Sequence, residues 1–147
     1  MKNICVIYHS DKGHTLALAE AISAGINEVS GVSSTLISVN EIDEDAWKII
    51  ANSDGLVFGS PTYMGNVSGE FKIFMDKTSN IWYQRGWKDK VAGAFTSSGS
   101  LSGDKLGTLN ALSIFAAQHG MIWVGPLEIC STFTPTHETV NRLGSNL

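Results

Sequence analysis

The feature that most constrains the fold is an alternation of short apolar runs with longer segments of helical spacing. Asn3–Tyr8 is an apolar run that ends at the polar His9 and Ser10, and Leu18, Ile22, Ile26 and Val29 then recur at intervals of three and four. Such a change of period reads as strand, then helix. Ser34–Val39 reads as a second strand, and a short helix opening in the acidic cluster Glu41–Asp45 runs through Trp47, Ile50 and Ala51. Acidic residues at that end suit the helix dipole. Gly55–Gly59 has no polar alternation, as in a strand covered on both faces, and Phe71, Phe74, Met75 and Thr78 mark one face of the helix that follows. Val91–Phe95 makes a fourth strand, with Leu109, Leu112, Phe115 and Ala116 lining the next helix; Met121–Val124, resuming at Leu127–Cys130, makes a fifth. Crossovers long enough to hold helices imply a parallel sheet coated on both sides. After Pro135 the segment Thr136–Leu147 reads as the start of a helix that runs out of chain, so the closing helix is expected to be short or missing.

Three strand-to-helix turns are rich in hydroxyls: Tyr8–Thr15, Gly59–Asn66 and Thr96–Gly103. In an open α/β sheet, ligands bind in the crevice outside the carboxyl ends of the strands, so three such turns can converge on one ligand. In the first, Ser10 and Thr15 carry hydroxyls, Gly13 permits positive φ, and the loop opens directly into a helix. Free backbone N–H groups there would cradle a phosphate, although ordinary N-capping by Ser or Thr gives the same pattern. The P-loop and the dinucleotide fingerprint are excluded, since neither a Gly-Lys pair nor Gly-x-Gly-x-x-Gly occurs. A phosphatase loop is excluded because Asp11 and Thr136 stand six residues after the two cysteines. Gly99–Gly103 has Leu101 where a nucleophile elbow needs serine.

In the second turn Pro61 fixes the backbone, while Thr62, Tyr63, Met64 and Asn66 mix flat apolar surface with hydrogen-bonding groups. That mixture suits a planar heteroaromatic ring such as a flavin. Trp82, Tyr83 and Trp87 either cover the ring's outer face or simply pack. His9 and His14 are five apart, the wrong spacing for two metal ligands on one helix face. His119 falls on the helical line of Leu112, Phe115 and Ala116, and reads equally as a buried structural histidine or as one facing a ligand.

With 147 residues the chain is the size of one domain, able to bury roughly two-thirds of its unfolded surface. A net charge of −4 gives no basic footprint for nucleic acid. No apolar run of membrane-spanning length and no leader pattern occurs, which points to a cytoplasmic protein without a membrane partner. Cys5 and Cys130 form no closely spaced disulfide framework and read as reduced, buried thiols.

The blocks Tyr8–Thr15, Gly59–Thr78, Lys90–Gly99 and Gln118–Met121 resemble the flavodoxin-like NAD(P)H:quinone oxidoreductases known as tryptophan repressor-binding proteins, over most of residues 1–125. The resemblance implies a single flavodoxin-like domain over residues 1–147, a three-layer α/β sandwich with a five-stranded parallel sheet of order 2-1-3-4-5. It implies FMN as cofactor. Ser10, Gly13, His14 and Thr15 would hold its phosphate; Pro61, Thr62, Tyr63, Met64 and Asn66 would contact the ring and ribityl chain; Ser97, Ser98, Gly99 and Ser100 would line the ring's other edge. His119 and Trp82 would be catalytic, His119 facing the active site from its own or a neighbouring subunit and Trp82 standing near the substrate pocket, in a homodimer or homotetramer. Departures from the family are Asp11-Lys12, where an aromatic residue often stands beside the phosphate loop, and a shorter connection from the second strand to the third. The expected reaction is ping-pong, with NADH or NADPH as donor and a quinone as two-electron acceptor. The alternatives are a flavodoxin-type one-electron carrier and a non-enzymatic FMN-binding or regulatory protein.

Overall fold

The computed structural model describes residues 1–101 and 103–126. Along the chain lie β1 (Lys2–Tyr8), α1 (His14–Asn27), β2 (Val32–Ser38), a 3-10 turn (Val39–Glu41), α2 (Glu44–Asn52), β3 (Gly55–Tyr63) and β4 (Asn66–Val67). There follow α3 (Gly69–Lys77), α4 (Ser79–Tyr83), β5 (Val91–Ser97), α5 (Lys105–Gln118) and β6 (Ile122–Trp123). Main-sheet order is β2-β1-β3-β5-β6, with every neighbouring pair parallel, while β4 pairs antiparallel with the end of β3. With that short extra strand set aside, the order is the expected 2-1-3-4-5 of a flavodoxin-like fold.

Right-handed crossovers place helices on both faces of this sheet. α1 turns back toward β2 and takes one face; α2, α3 and α5 advance the other way and take the second. The core follows that division. Cys5, Ile7, Leu56, Phe58 and Ala92 join Ile50 of α2, Phe71 and Phe74 of α3 and Leu112, Phe115 and Ala116 of α5 in one buried cluster. Phe58 is its centre, with ring centroids 5.3 Å from Phe115, 6.3 Å from Trp87 and 6.4 Å from Phe71. Offset and edge-on aromatic contacts of this kind add to the effect of burial itself.

Two sequence expectations change. First, β3 continues to Tyr63 and β5 to Ser97, because the register pairs Gly59 with Phe95, Ser60 with Thr96 and Pro61 with Ser97. The second turn therefore begins at Met64 and not at Gly59. Proline is tolerated inside this strand because backbone direction alternates: Gly59 O faces β1 and accepts from His9 N at 2.9 Å, so Pro61 faces the same side, past the end of β1. Second, the buried line of α1 is Thr15 and Ala19, continued by half-buried Ile22 and Ile26. Leu18 is 40% exposed and Val29 lies beyond the helix. Small Thr15 and Ala19 let the helix approach the sheet, and that spacing overrides hydrophobicity alone. The resumed strand at Leu127–Cys130 and the helix at Thr136–Leu147 lie outside the described residues, as does Cys130. Cys5 is buried and free, and burial pushes its thiol up to about 12.

The starts of α2 and α3 are closed by side chains. Asp43 accepts from Ala46 N at 2.8 Å, and buried Ser68 accepts from Phe71 N at 3.3 Å. Ser60 Oγ accepts from Ser68 N at 3.0 Å and donates to Pro61 O at 2.9 Å, so the cap of α3 is wired to the end of β3. Ser68→Ala is expected to cost about 1–2 kcal/mol in urea unfolding. A loss below about 0.5 kcal/mol would show that this wiring is not a significant support.

Candidate functional site

β3 and β5 outrun β1, whose pairing with β3 stops at Tyr8–Gly59. The space past the end of β1 is a cleft of about 260 Å³, bounded by Asp11, Lys12, His14 and Thr15 on one side, Pro61–Tyr63 at the back and Ser97–Gly99 opposite. Hydroxyl pairs fix these walls: Thr15 Oγ1 to Ser97 Oγ at 2.9 Å, and Thr62 Oγ1 to both Thr96 Oγ1 and Thr108 Oγ1 at 2.8 Å. The Tyr63 hydroxyl reaches Asp11 Oδ2 at 3.4 Å, and Lys12 Nζ sits 3.1 Å from the same oxygen.

α1 starts differently from α2 and α3. Its N-cap is Gly13 at φ 86, with no side-chain capping bond and no acidic residue in the first turn. Ser10 Oγ accepts from Leu16 N at 3.1 Å, and the preceding first-turn amides of His14 and Thr15 have no intrahelical acceptor. A positive helix end with two free amides at the rim of a cleft suits an anion. At Gly13 a side chain would be strained by the positive φ, and the space a Cβ would enter is open to 4 Å. Three donor types at one end, and hydroxyls with a flat tyrosine edge at the other, fit a phosphate joined to a planar ring.

Of the residues expected from sequence, His14, Thr15, Pro61, Thr62, Tyr63, Ser97, Ser98 and Gly99 meet in the cleft, while Ser10 and Gly13 shape its anion end. Met64, Asn66 and Ser100 do not line it. Met64 (φ 49) and Gly65 (φ 76) form the two-residue turn between β3 and β4, which leaves the Met64 side chain wholly exposed, and Asn66 Oδ1 accepts from Val67 N at 2.8 Å. Asp11 and Lys12, noted in the sequence only as departures, belong to the wall; their place inside the first turn was the available signal. Thr108 was missed because it reads as one more position of a helix.

His119 and Trp82 lie elsewhere. α5 starts at the cleft and runs back for 14 residues, about 21 Å, to reach β6, whose Ile122 pairs with Val91 at the opening of β5. His119, at the far end, is therefore at the opposite edge of the sheet. Its Nε2 meets Thr78 Oγ1 at 2.9 Å and its ring packs 4.4 Å from Trp87 and 4.9 Å from Phe115. Burial lowers its pKa to about 4, so the ring is neutral near pH 7. Half-exposed Trp82 and exposed Tyr83 share with His119 a second hollow of about 420 Å³. Trp87 is in the core and covers no cleft.

A family profile described as NADPH-dependent FMN reductase matches residues 3–134. The chain belongs to this family. Proteins similar to it include flavodoxin FldP of Pseudomonas aeruginosa, 38% identical over all of this chain and 79% of the relative. An NAD(P)H dehydrogenase (quinone) of Chromohalobacter salexigens is 33% identical over 94% of this chain and 78% of its own length. Among solved structures, a WrbA-like flavodoxin from Agrobacterium tumefaciens superposes with a TM-score of 0.78 at 43% identity, covering 84% of this chain and 77% of that one. FMN is accordingly the cofactor and NAD(P)H the donor that family membership assigns, and the cleft fits the FMN phosphate and ring as described above. No helix among the described residues is long and apolar enough to cross a membrane.

The hairpin turn is held close to α5: a Cβ on Gly107 would lie 2.2 Å from the Gly65 carbonyl oxygen. Helix propensity alone makes Gly107→Ala stabilising by about 1 kcal/mol. The backbone clash reverses the sign, and a net loss of about 1–3 kcal/mol is expected in denaturant unfolding, with weakened FMN binding. A stabilised variant would refute the close approach. His119 gives a pH test. Its folded pKa lies below the ordinary value of 6.5, so the unfolded chain binds the proton more readily. Stability is complete above about pH 6.5 and falls as pH drops toward about 4. His119→Gln should flatten that part of the Tm-against-pH curve.

Proposed function

We propose that this FMN-dependent oxidoreductase passes two electrons from NAD(P)H to a small quinone by a ping-pong sequence, donor and acceptor taking turns at the same cleft. The observation that carries the reading is the conjunction, in one cleft, of the start of α1 and its free first amides with the Pro61–Tyr63 edge and the Ser97–Gly99 loop. Bound FMN supplies the hydride and electron-transfer chemistry, which the side chains here do not. The chain supplies position and field. The amides of His14 and Thr15, with the Ser10 and Thr15 hydroxyls near them, hold the phosphate; Pro61–Tyr63 and Ser97–Gly99 grip the ring from two edges. Tyr63 is 41% exposed and offers a flat surface at the rim against which a planar acceptor can lie. Backbone N–H groups of the Ser97–Leu101 turn favour negative charge on the reduced ring. His119 and Trp82 are too far along the sheet to act within their own chain, so their proposed part in the acceptor pocket requires a homodimer or homotetramer that brings the second hollow to a neighbour's cleft.

The similarity to flavodoxin FldP favours a second reading, a one-electron carrier between proteins. An anaerobic titration separates the two. On the first reading, the FMN-loaded protein bleaches in the blue band on adding NADH or NADPH and recovers with benzoquinone. Bound flavin that neither nucleotide reduces would remove the quinone-reductase assignment in favour of the carrier. Trp82→Ala is expected to lower kcat/KM for benzoquinone about tenfold with FMN affinity unchanged, and unaltered kinetics would dismiss the proposed role of the second hollow.

A further inference from the structure

Lys105 is a cation where helix geometry disfavours one. It is the first residue of α5, at the positive end of the helix dipole, which favours anions. α2 and α3 follow that preference with Glu44, Asp45 and Glu70 in their first turns. α5 has no acidic first turn and no side-chain cap, and Asp104 before it stands at φ 54. The ammonium of Lys105 turns instead to the loop after β5, donating to Ser98 Oγ at 2.8 Å, Ser100 O at 3.0 Å and Leu101 O at 2.8 Å. Three donors meet three acceptors, which exhausts a lysine's capacity. Ser98 Oγ in turn donates to Ser100 O at 2.7 Å, and the loop closes so tightly that a Cβ on Gly103 would lie 2.1 Å from Ser98 Oγ. Among the described residues no carboxylate oxygen comes within 4 Å of this ammonium, whereas Lys2, Lys12, Lys48, Lys72 and Lys88 each have one.

The same Ser98 lines the cleft. Resting on the flavin reading above, we propose that Lys105 is a positioning residue of the cleft: it ties down the Ser98–Leu101 loop and sets an unneutralised positive charge behind it that favours reduced, negatively charged FMN over oxidised FMN. The hydrogen bonds account for the first part. The second follows from Coulomb's law in a partly wet site, where one unit charge shifts the balance between two charge states of a nearby group. A lysine serving only to rigidify the loop would act alike on both flavin states.

The test compares Lys105→Gln, which removes the charge but keeps a hydrogen-bonding head, with Lys105→Arg, which keeps both. Oxidised and reduced FMN are titrated into each apoprotein by fluorescence under anaerobic conditions. In the Gln variant the preference for reduced over oxidised FMN should fall about tenfold, and the Arg variant should restore it. Equal losses for both flavin states, or no loss, would overturn the electrostatic role. A second readout needs no flavin: thermolysin should cleave the apoprotein of Lys105→Met, which removes the donor as well as the charge, at exposed Leu101 several-fold faster than the wild type. Unchanged cleavage would overturn the clamp. If the wild type bound no FMN, the cofactor reading would fail while the cleavage rates still decided whether the loop depends on Lys105.

Discussion

The cleft depends on unequal strand lengths. β1 is paired with β3 only as far as Tyr8–Gly59, while β3 and β5 stay paired to Pro61–Ser97. The two longer strands make a wall, the missing end of β1 makes a floor, and the start of α1 closes the third side. Pro61 marks the same boundary in covalent form: it can offer no N–H to a neighbour, and the side it faces is the one on which the neighbour has ended. Changing the register by a single residue would turn every side chain on the strand to the opposite face and undo both core and cleft.

Along β3 the chemistry changes from one end to the other. Leu56 and Phe58 bury apolar surface against α2, α3 and α5, and Ser60 and Thr62 continue the same face with hydroxyls. Each hydroxyl is partnered: Ser60 with Ser68 and Pro61, Thr62 with Thr96 and Thr108. Burying polar groups at the top of the sheet is tolerated because neither hydroxyl is left unpaired. A rigid polar rim thus stands directly on a rigid apolar base, and loops that carry the binding groups inherit that rigidity.

Much of this was legible in the sequence, for physical reasons that differ between elements. The strands, the helices and their alternation followed from period changes, the sheet order from the family resemblance, and Gly13 announced a left-handed loop at a helix start. The buried face of α1 did not follow, because Thr15 and Ala19 are buried for their small size and hydroxyl and not for hydrophobicity. The ends of β3 and β5 did not, because Ser, Thr and Pro read as turn residues when the partner strand that keeps them extended is unseen. His119 was placed correctly on the buried line of its helix, yet its distance from the cleft is a matter of helix direction, which hydrophobic spacing does not encode. The lysine at position 105 gave a weak signal, a charge at the wrong end of a helix.

One buried group has a bearing on what such a protein can handle. Quinones of the class proposed as acceptors are also electrophiles, and they add covalently to thiolates. Cys5 lies in the middle of β1, wholly shielded from solvent, with its thiol held in the protonated form far above neutral pH. A protonated, enclosed sulfur is a poor target for arylation. Among the described residues, therefore, the chain presents no thiol to its own reactants.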